Sequence, residues 1–162
     1  MPYELEFTLV DGGSGYRFHL LDPAGHPLTL DLPCDATVLG GCQNQPYRPI
    51  SPVFMPSGDI LFGLTLPDAL PRVIRYSAAS EDWDVLIDAI PGAVINLVAD
   101  GDDVLVASGG GLSTVVTPFF APDYAAGRVA ELATLTQDNH LVKTETGGLY
   151  TVGNGGLLEL TR

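Results

Sequence analysis

The sequence predicts an all-β protein, a stack of four antiparallel sheets of three or four strands each. Three observations carry that expectation. Apolar runs are short, rich in Val, Ile, Leu and Tyr, and bounded by Gly, Pro, Asn and Asp, which is strand chemistry interrupted by turns. No window holds a long 3.6-residue apolar stripe framed by helix start and stop signals. Finally, VLVASGGGLSTV (Val104–Val115) and LVKTETGGLYTV (Leu141–Val152) write nearly the same hairpin twice: an apolar run, then Gly-Gly, then Leu-x-Thr-Val.

Four units follow in chain order within a single domain, residues 1–162. The first, 3–41, reads YELEFTLV, a turn at Gly13-Ser14-Gly15, YRFHL, PLTLDL and a faint fourth strand, ATVLGG (Ala36–Gly41). The second, 42–91, reads RPISPVFM, a turn at Ser57-Gly58-Asp59, ILFGL, RVIRYS and WDVLIDAI. The third, 92–127, reads AVINLVA, a turn at Gly101-Asp102-Asp103, VLVAS and LSTVVTPF, with no convincing fourth strand. The fourth, 128–162, reads RVAELATL, a turn at Asp138-Asn139-His140, LVKTE, GLYTVG and GLLELTR. Two stretches offer helix. Ser77–Ile90 has Ser80 followed by Glu81 and Asp82 as a cap, yet WDVLIDAI is strand-like and Pro91-Gly92 stops it at strand length. Ala121–Leu132 contains Pro122 and Gly127, which leave room for one turn at most.

Repetition at this period marks arrays in which no unit can bury its apolar faces alone. The order of apolar strand, Asp/Gly turn, apolar strand, short turn and third strand resembles the blades of β-propellers, the gluconolactonase and NHL types in particular. The resemblance spans the whole chain but rests on strand order and turn positions, so it implies a fold and no function by itself. It implies a closed four-bladed ring, or half of an eight-bladed ring completed by a second copy as a homodimer. A β-sandwich or barrel is the alternative architecture for the same strand pattern.

Charge narrows the partners. The chain carries 20 acidic against 7 basic residues, with Lys143 its single lysine, for a net charge of −13. That excludes sequence-independent nucleic-acid binding, which needs Lys and Arg to displace counterions, and disfavours anionic membrane surfaces. A basic protein is electrostatically welcome. The 46% hydrophobic content argues against disorder. Glu4 and Glu6 stand where a secretion signal would need basic and then unbroken apolar residues, so a cytoplasmic location is expected. In that compartment Cys34 and Cys42 are expected as reduced thiols rather than a disulfide, and with no histidine between them they make no zinc site.

Motifs with catalytic meaning are lacking. SGGG (Ser108–Gly111) and GNGG (Gly153–Gly156) are followed by strands, whereas a phosphate cradle needs a helix N-terminus, so both are expected as hairpin turns. DGDD (Asp100–Asp103) is followed by the apolar run at Val104 instead of further oxygen ligands, and reads as a solvated turn rather than a calcium loop. His19, His26 and His140 lie far apart. No catalytic, cofactor or metal residue is assigned. Trp83 amid Glu81, Asp82 and Asp84 has the composition of a hot spot for an Arg- or Lys-bearing partner, and Tyr47 lies in the longest polar connection, Leu39–Pro52. The expected function is a non-enzymatic binding module: an acidic propeller that holds a protein partner, a basic one by charge, in the manner of an inhibitor or immunity protein. The resemblance implies an alternative, a metal-dependent hydrolase of the gluconolactonase type, with Glu4, Ser51, Asn96 and Glu131 as the residues opening each first strand. A carbohydrate-binding propeller ranks last, because Tyr16, Tyr76, Tyr124 and Tyr150 do not recur at matched positions.

Overall fold

Short segments with alternating inward and outward side chains satisfy their backbone by pairing edge to edge. The computed structural model describes residues 6–9, 15–33, 37–39, 50–66, 69–90, 92–110, 113–127, 130–132, 140–144, 146–153 and 156–159. They form four antiparallel sheets, built one after another along the chain. Sheet one is β1 (Glu6–Leu9), β2 (Gly15–Leu21) and β3 (Pro27–Pro33). Sheet two is β4 (Ile50–Phe54), β5 (Ile60–Leu66), β6 (Ala69–Ser77) and β7 (Asp82–Ile87). Sheet three joins β8 (Ala93–Asp100), β9 (Asp103–Gly110) and β10 (Ser113–Phe120), with β11 (Ala125–Ala126) and β12 (Ala130–Leu132) both pairing β10. Sheet four is β13 (His140–Lys143), β14 (Leu149–Gly153) and β15 (Gly156–Glu159).

The all-β class is as expected, and two details differ. ATVLGG contributes a 3₁₀ turn, Thr37–Leu39, in place of a fourth strand; Val38 and Leu39 are fully buried against sheets one and two, and Arg72 Nη1 donates to the Val38 carbonyl at 3.1 Å. Ala130–Leu132 was expected to open the fourth unit. It pairs with Thr114–Val116 instead and supplies an outer strand to the third unit. Local pattern marks a strand but does not say which neighbour takes it.

Period-two alternation decides what each sheet buries. In β2 and β3, Tyr16, Phe18, Leu20, Leu30 and Leu32 face Phe62, Leu64 and Ile74 of sheet two. Leu61, Val73 and Ile87 on the reverse of sheet two face Val94, Leu97, Val104, Val106 and Phe119 of sheet three. On the next seam β8 packs against β13, where Lys143 Nζ reaches the Ala99 carbonyl at 3.4 Å and Asp100 Oδ1 at 3.2 Å. Burying these apolar faces contributes roughly 25 cal/mol per Å² and holds the stack together.

The outer face of sheet one is different. Arg17, His19, Thr29 and Asp31 project there; Arg17 grips Asp31 through Nε at 2.7 Å and Nη2 at 3.0 Å, and Thr29 Oγ1 lies 3.4 Å from His19 Nδ1. Ring closure in either form would bury this pair and His19, and taking paired charges out of water is costly. The hydrogen bonds from Arg17 hold the Asp31 carboxyl below the usual carboxylate range. The pairing is therefore present above the ordinary carboxylate value and fades as pH falls through the depressed one. Arg17→Gln is expected to move the Asp31 titration midpoint upward, measured by carboxyl chemical shifts in an NMR pH series. An unchanged midpoint would contradict the pairing.

One five-residue turn recurs. Asp22–His26, Met55–Asp59 and 144–148 each bond first N–H to last carbonyl at 2.9 Å, and the fourth-residue N–H to the first carbonyl at 2.9 Å. The fourth residue, Gly25, Gly58 or Gly147, has φ of +84°, +90° or +86°, a region that side-chain-bearing residues avoid. The two look-alike hairpins use different turns. β9 runs to Gly110, which pairs with Ser113, whereas β13 ends at Lys143, which pairs with Leu149. They share strand order and sequence but not register.

Candidate partner-binding rim

The stronger recurrence joins sheets two and three. Asp59 immediately precedes the second strand of sheet two, and its Oδ1 accepts the Ala78 amide at 3.0 Å, in the turn after the third strand. Asp103 begins the second strand of sheet three, and its Oδ1 accepts the Ala121 amide at 2.9 Å in the matching turn. Each four-residue turn then closes on a left-handed residue, Glu81 (φ +55°) or Tyr124 (φ +52°). A carboxylate bonded to a backbone N–H is worth more than a neutral pair, so these aspartates clamp the turns in place. The Asp/Gly anchors read from sequence are thus half of a two-part latch.

The latches gather the turns at one end of the stack. The hydroxyl of Tyr124 donates to the Asp102 carbonyl at 3.2 Å. Burial pushes that hydroxyl above its ordinary value, with nearby Arg75 opposing and Asp102, Asp103 and Asp59 reinforcing. Sheets two and three therefore present one continuous rim containing Asp59, Glu81, Asp82, Asp102, Asp103 and Asp123. Arg75 is its internal cation: Nε and Nη2 hold the two Asp84 oxygens at 2.9 and 2.6 Å, and Nη1 lies 4.0 Å from Asp59. That pairing raises the Arg75 value further.

Of the sequence-predicted residues, Glu81 and Asp82 lie on this rim, and Trp83 and Asp84 follow them in β7. Glu81 and Asp82 are exposed, and Asp82 Oδ1 also accepts the Trp83 amide at 2.8 Å. Asp84 is exposed but held by Arg75. Trp83 turns inward at the seam between sheets one and two, half-buried. Its ring lies 5.7 Å from Phe18, 5.6 Å from Phe62 and edge-on to Tyr76 at 5.3 Å, while Nε1 donates to the Asp31 carbonyl at 2.9 Å. Its contacts are therefore packing at that seam and one hydrogen bond to the backbone of sheet one. Tyr47 lies outside the described residues, as do Cys34 and Cys42. Asp59, Asp102, Asp103, Tyr124 and Asp123 join the rim beside the predicted set. The repeated Asp/Gly anchors were the signal for the first three; nothing in the sequence marks Tyr124.

Of the residues considered for a metal, Ser51 lies in β4. Glu4 lies outside the described residues, while Asn96 on β8 and Glu131 on β12 stand at opposite edges of sheet three. The three histidines stay apart, in β2, in the β2–β3 turn and at the start of β13. Among the described residues no three His, Cys, Asp or Glu side chains form a metal-binding group, and no helix is long and apolar enough to cross a membrane. DGDD is a turn: Asp100 pairs with Asp103 in the ladder, Asp100 also takes Lys143, and Asp103 takes Ala121.

No family model matches the chain, and no curated protein matches it. Solved structures do share its fold. TolB from Acinetobacter baumannii aligns with 99% of this chain at a TM-score of 0.55 and 15% identity, using 41% of its own length. A luciferin-regenerating enzyme aligns with 96% of this chain at a TM-score of 0.51 and 11% identity, using 57% of its own length. This chain thus spans well under two thirds of either structure. At such identities the likeness shows the fold, and the protein is of the β-propeller type.

Proposed function

We propose that the chain is a non-enzymatic binding module whose acidic rim receives a basic surface of a protein partner. The supporting observation is how charge is distributed. Each described cation is already held by a carboxylate of the same chain: Arg17 by Asp31, Arg72 by Asp88 at 3.6 Å, Arg75 by Asp84, and Lys143 by Asp100. Glu81, Asp82, Asp102 and Asp123 are exposed and make no ion pair among the described residues. Cations inside the fold are spent on the fold, and the remaining negative field points outward, where it steers and orients a cationic partner. An inhibitor or immunity-type protein that masks a cationic enzyme surface is the concrete form of this reading.

The test is capture of partners from native lysate at low and high ionic strength. Raising salt from about 0.05 to 0.5 M shortens the screening length severalfold and is expected to release the partner. Equal retention at both would remove the electrostatic basis of the proposal.

A further inference from the structure

Because sheets two and three are one module, their side chains can be matched position by position. Ile74 pairs with Phe62 as Thr117 pairs with Val106, and Leu64 pairs with Arg72 as Ser108 pairs with Val115. Leu64 and Ile74 are fully buried hydrocarbons. The matching positions of sheet three carry hydroxyls, with Ser108 at 0% and Thr117 at 5% exposure. Alternation puts both on the face of Val104, Val106 and Phe119, which packs on sheet two. Neither Ser108 Oγ nor Thr117 Oγ1 reaches a hydrogen-bond partner among the described residues.

Burying a hydroxyl without a partner is unfavourable, and native interiors seldom leave two on one face. The two lie on adjacent strands as diagonal neighbours, a spacing that one small polar molecule can span. The matched positions of sheet two hold Phe62, Leu64 and Ile74, and those of sheet three hold the smaller Val106, Ser108 and Thr117. We propose that Ser108 and Thr117 form a binding site for one structural water molecule held in the seam between sheets two and three. Such a water accepts from one hydroxyl and donates to the other, completing the polar inventory of an otherwise apolar seam.

Thr117→Val decides the matter, because it keeps the shape and removes only the hydroxyl. If Thr117 Oγ1 were bare, valine would remove a desolvation cost and raise the Tm. With the bridging water, valine strands both the water and Ser108, and the Tm is expected to fall by about 2–4 °C. Ser108→Ala in the Thr117→Val background should then add little further loss, since both act on one bridge. A second readout is independent of stability: water-to-protein cross-relaxation at the Thr117 methyl, detected by NMR in the unsubstituted protein and lost on Ser108→Ala. A rise in Tm on Thr117→Val, or no water cross-peak at Thr117 in the unsubstituted protein, overturns the proposal.

Discussion

Phe62→Ala is expected to lower the stability of the protein by about 3–5 kcal/mol. Phe62 is fully buried in an inner strand of its four-stranded sheet. Its ring stacks on Phe18 at 4.8 Å and tilts against Trp83 at 5.6 Å, so it joins sheet one to sheet two at their centre. Alanine removes the ring's transfer free energy and leaves a cavity that ladder-bound strands cannot collapse to fill. The measurement is urea unfolding, with the midpoint shifting at unchanged slope. Trp83 fluorescence reports the same event locally, because the indole loses one of its three ring contacts. A loss below about 1 kcal/mol would mean that the seam between sheets one and two is not the packed core described above.

The second large effect concerns binding. Neutralising the rim by Glu81→Gln, Asp102→Asn and Asp123→Asn is expected to weaken capture of an immobilised lysine-rich peptide by roughly 10- to 100-fold at low salt, from three exposed charges worth about 0.5–1 kcal/mol each. A comparison variant separates place from net charge: Leu21→Lys, Ala24→Lys and Thr29→Lys change the total charge equally on the exposed surface of sheet one, around its β2–β3 turn. That variant should bind nearly as the parent does. Equal weakening by both sets would show that only net charge matters and that the rim is no site. None of the three neutralised groups makes a side-chain hydrogen bond or ion pair among the described residues, so the fold should survive.

The strand content was legible because alternation and turn residues act locally. DWD shows this well: period two places Asp82 and Asp84 on one face and Trp83 on the other, which is how the strand lies. The Asp/Gly anchors were legible as turns, but their clamping role was not, because Ala78 and Ala121 belong to turns two strands later. Pairing partners are set by tertiary proximity, which is why Ala130–Leu132 joins sheet three rather than opening sheet four. ATVLGG has strand composition, yet its Val38 and Leu39 bury themselves better as a single helical turn beneath Arg72. The aromatic surroundings of Trp83 were hidden for a similar reason: Phe18 and Phe62 come from distant segments that only the stacked sheets bring together.

The hydrophilic flank of the first sheet sets it apart from the apolar seams. Arg17 gripping Asp31 beside His19 is a face that only a polar surface could cover at little cost, because an oily one would take a paired charge out of water and give nothing back.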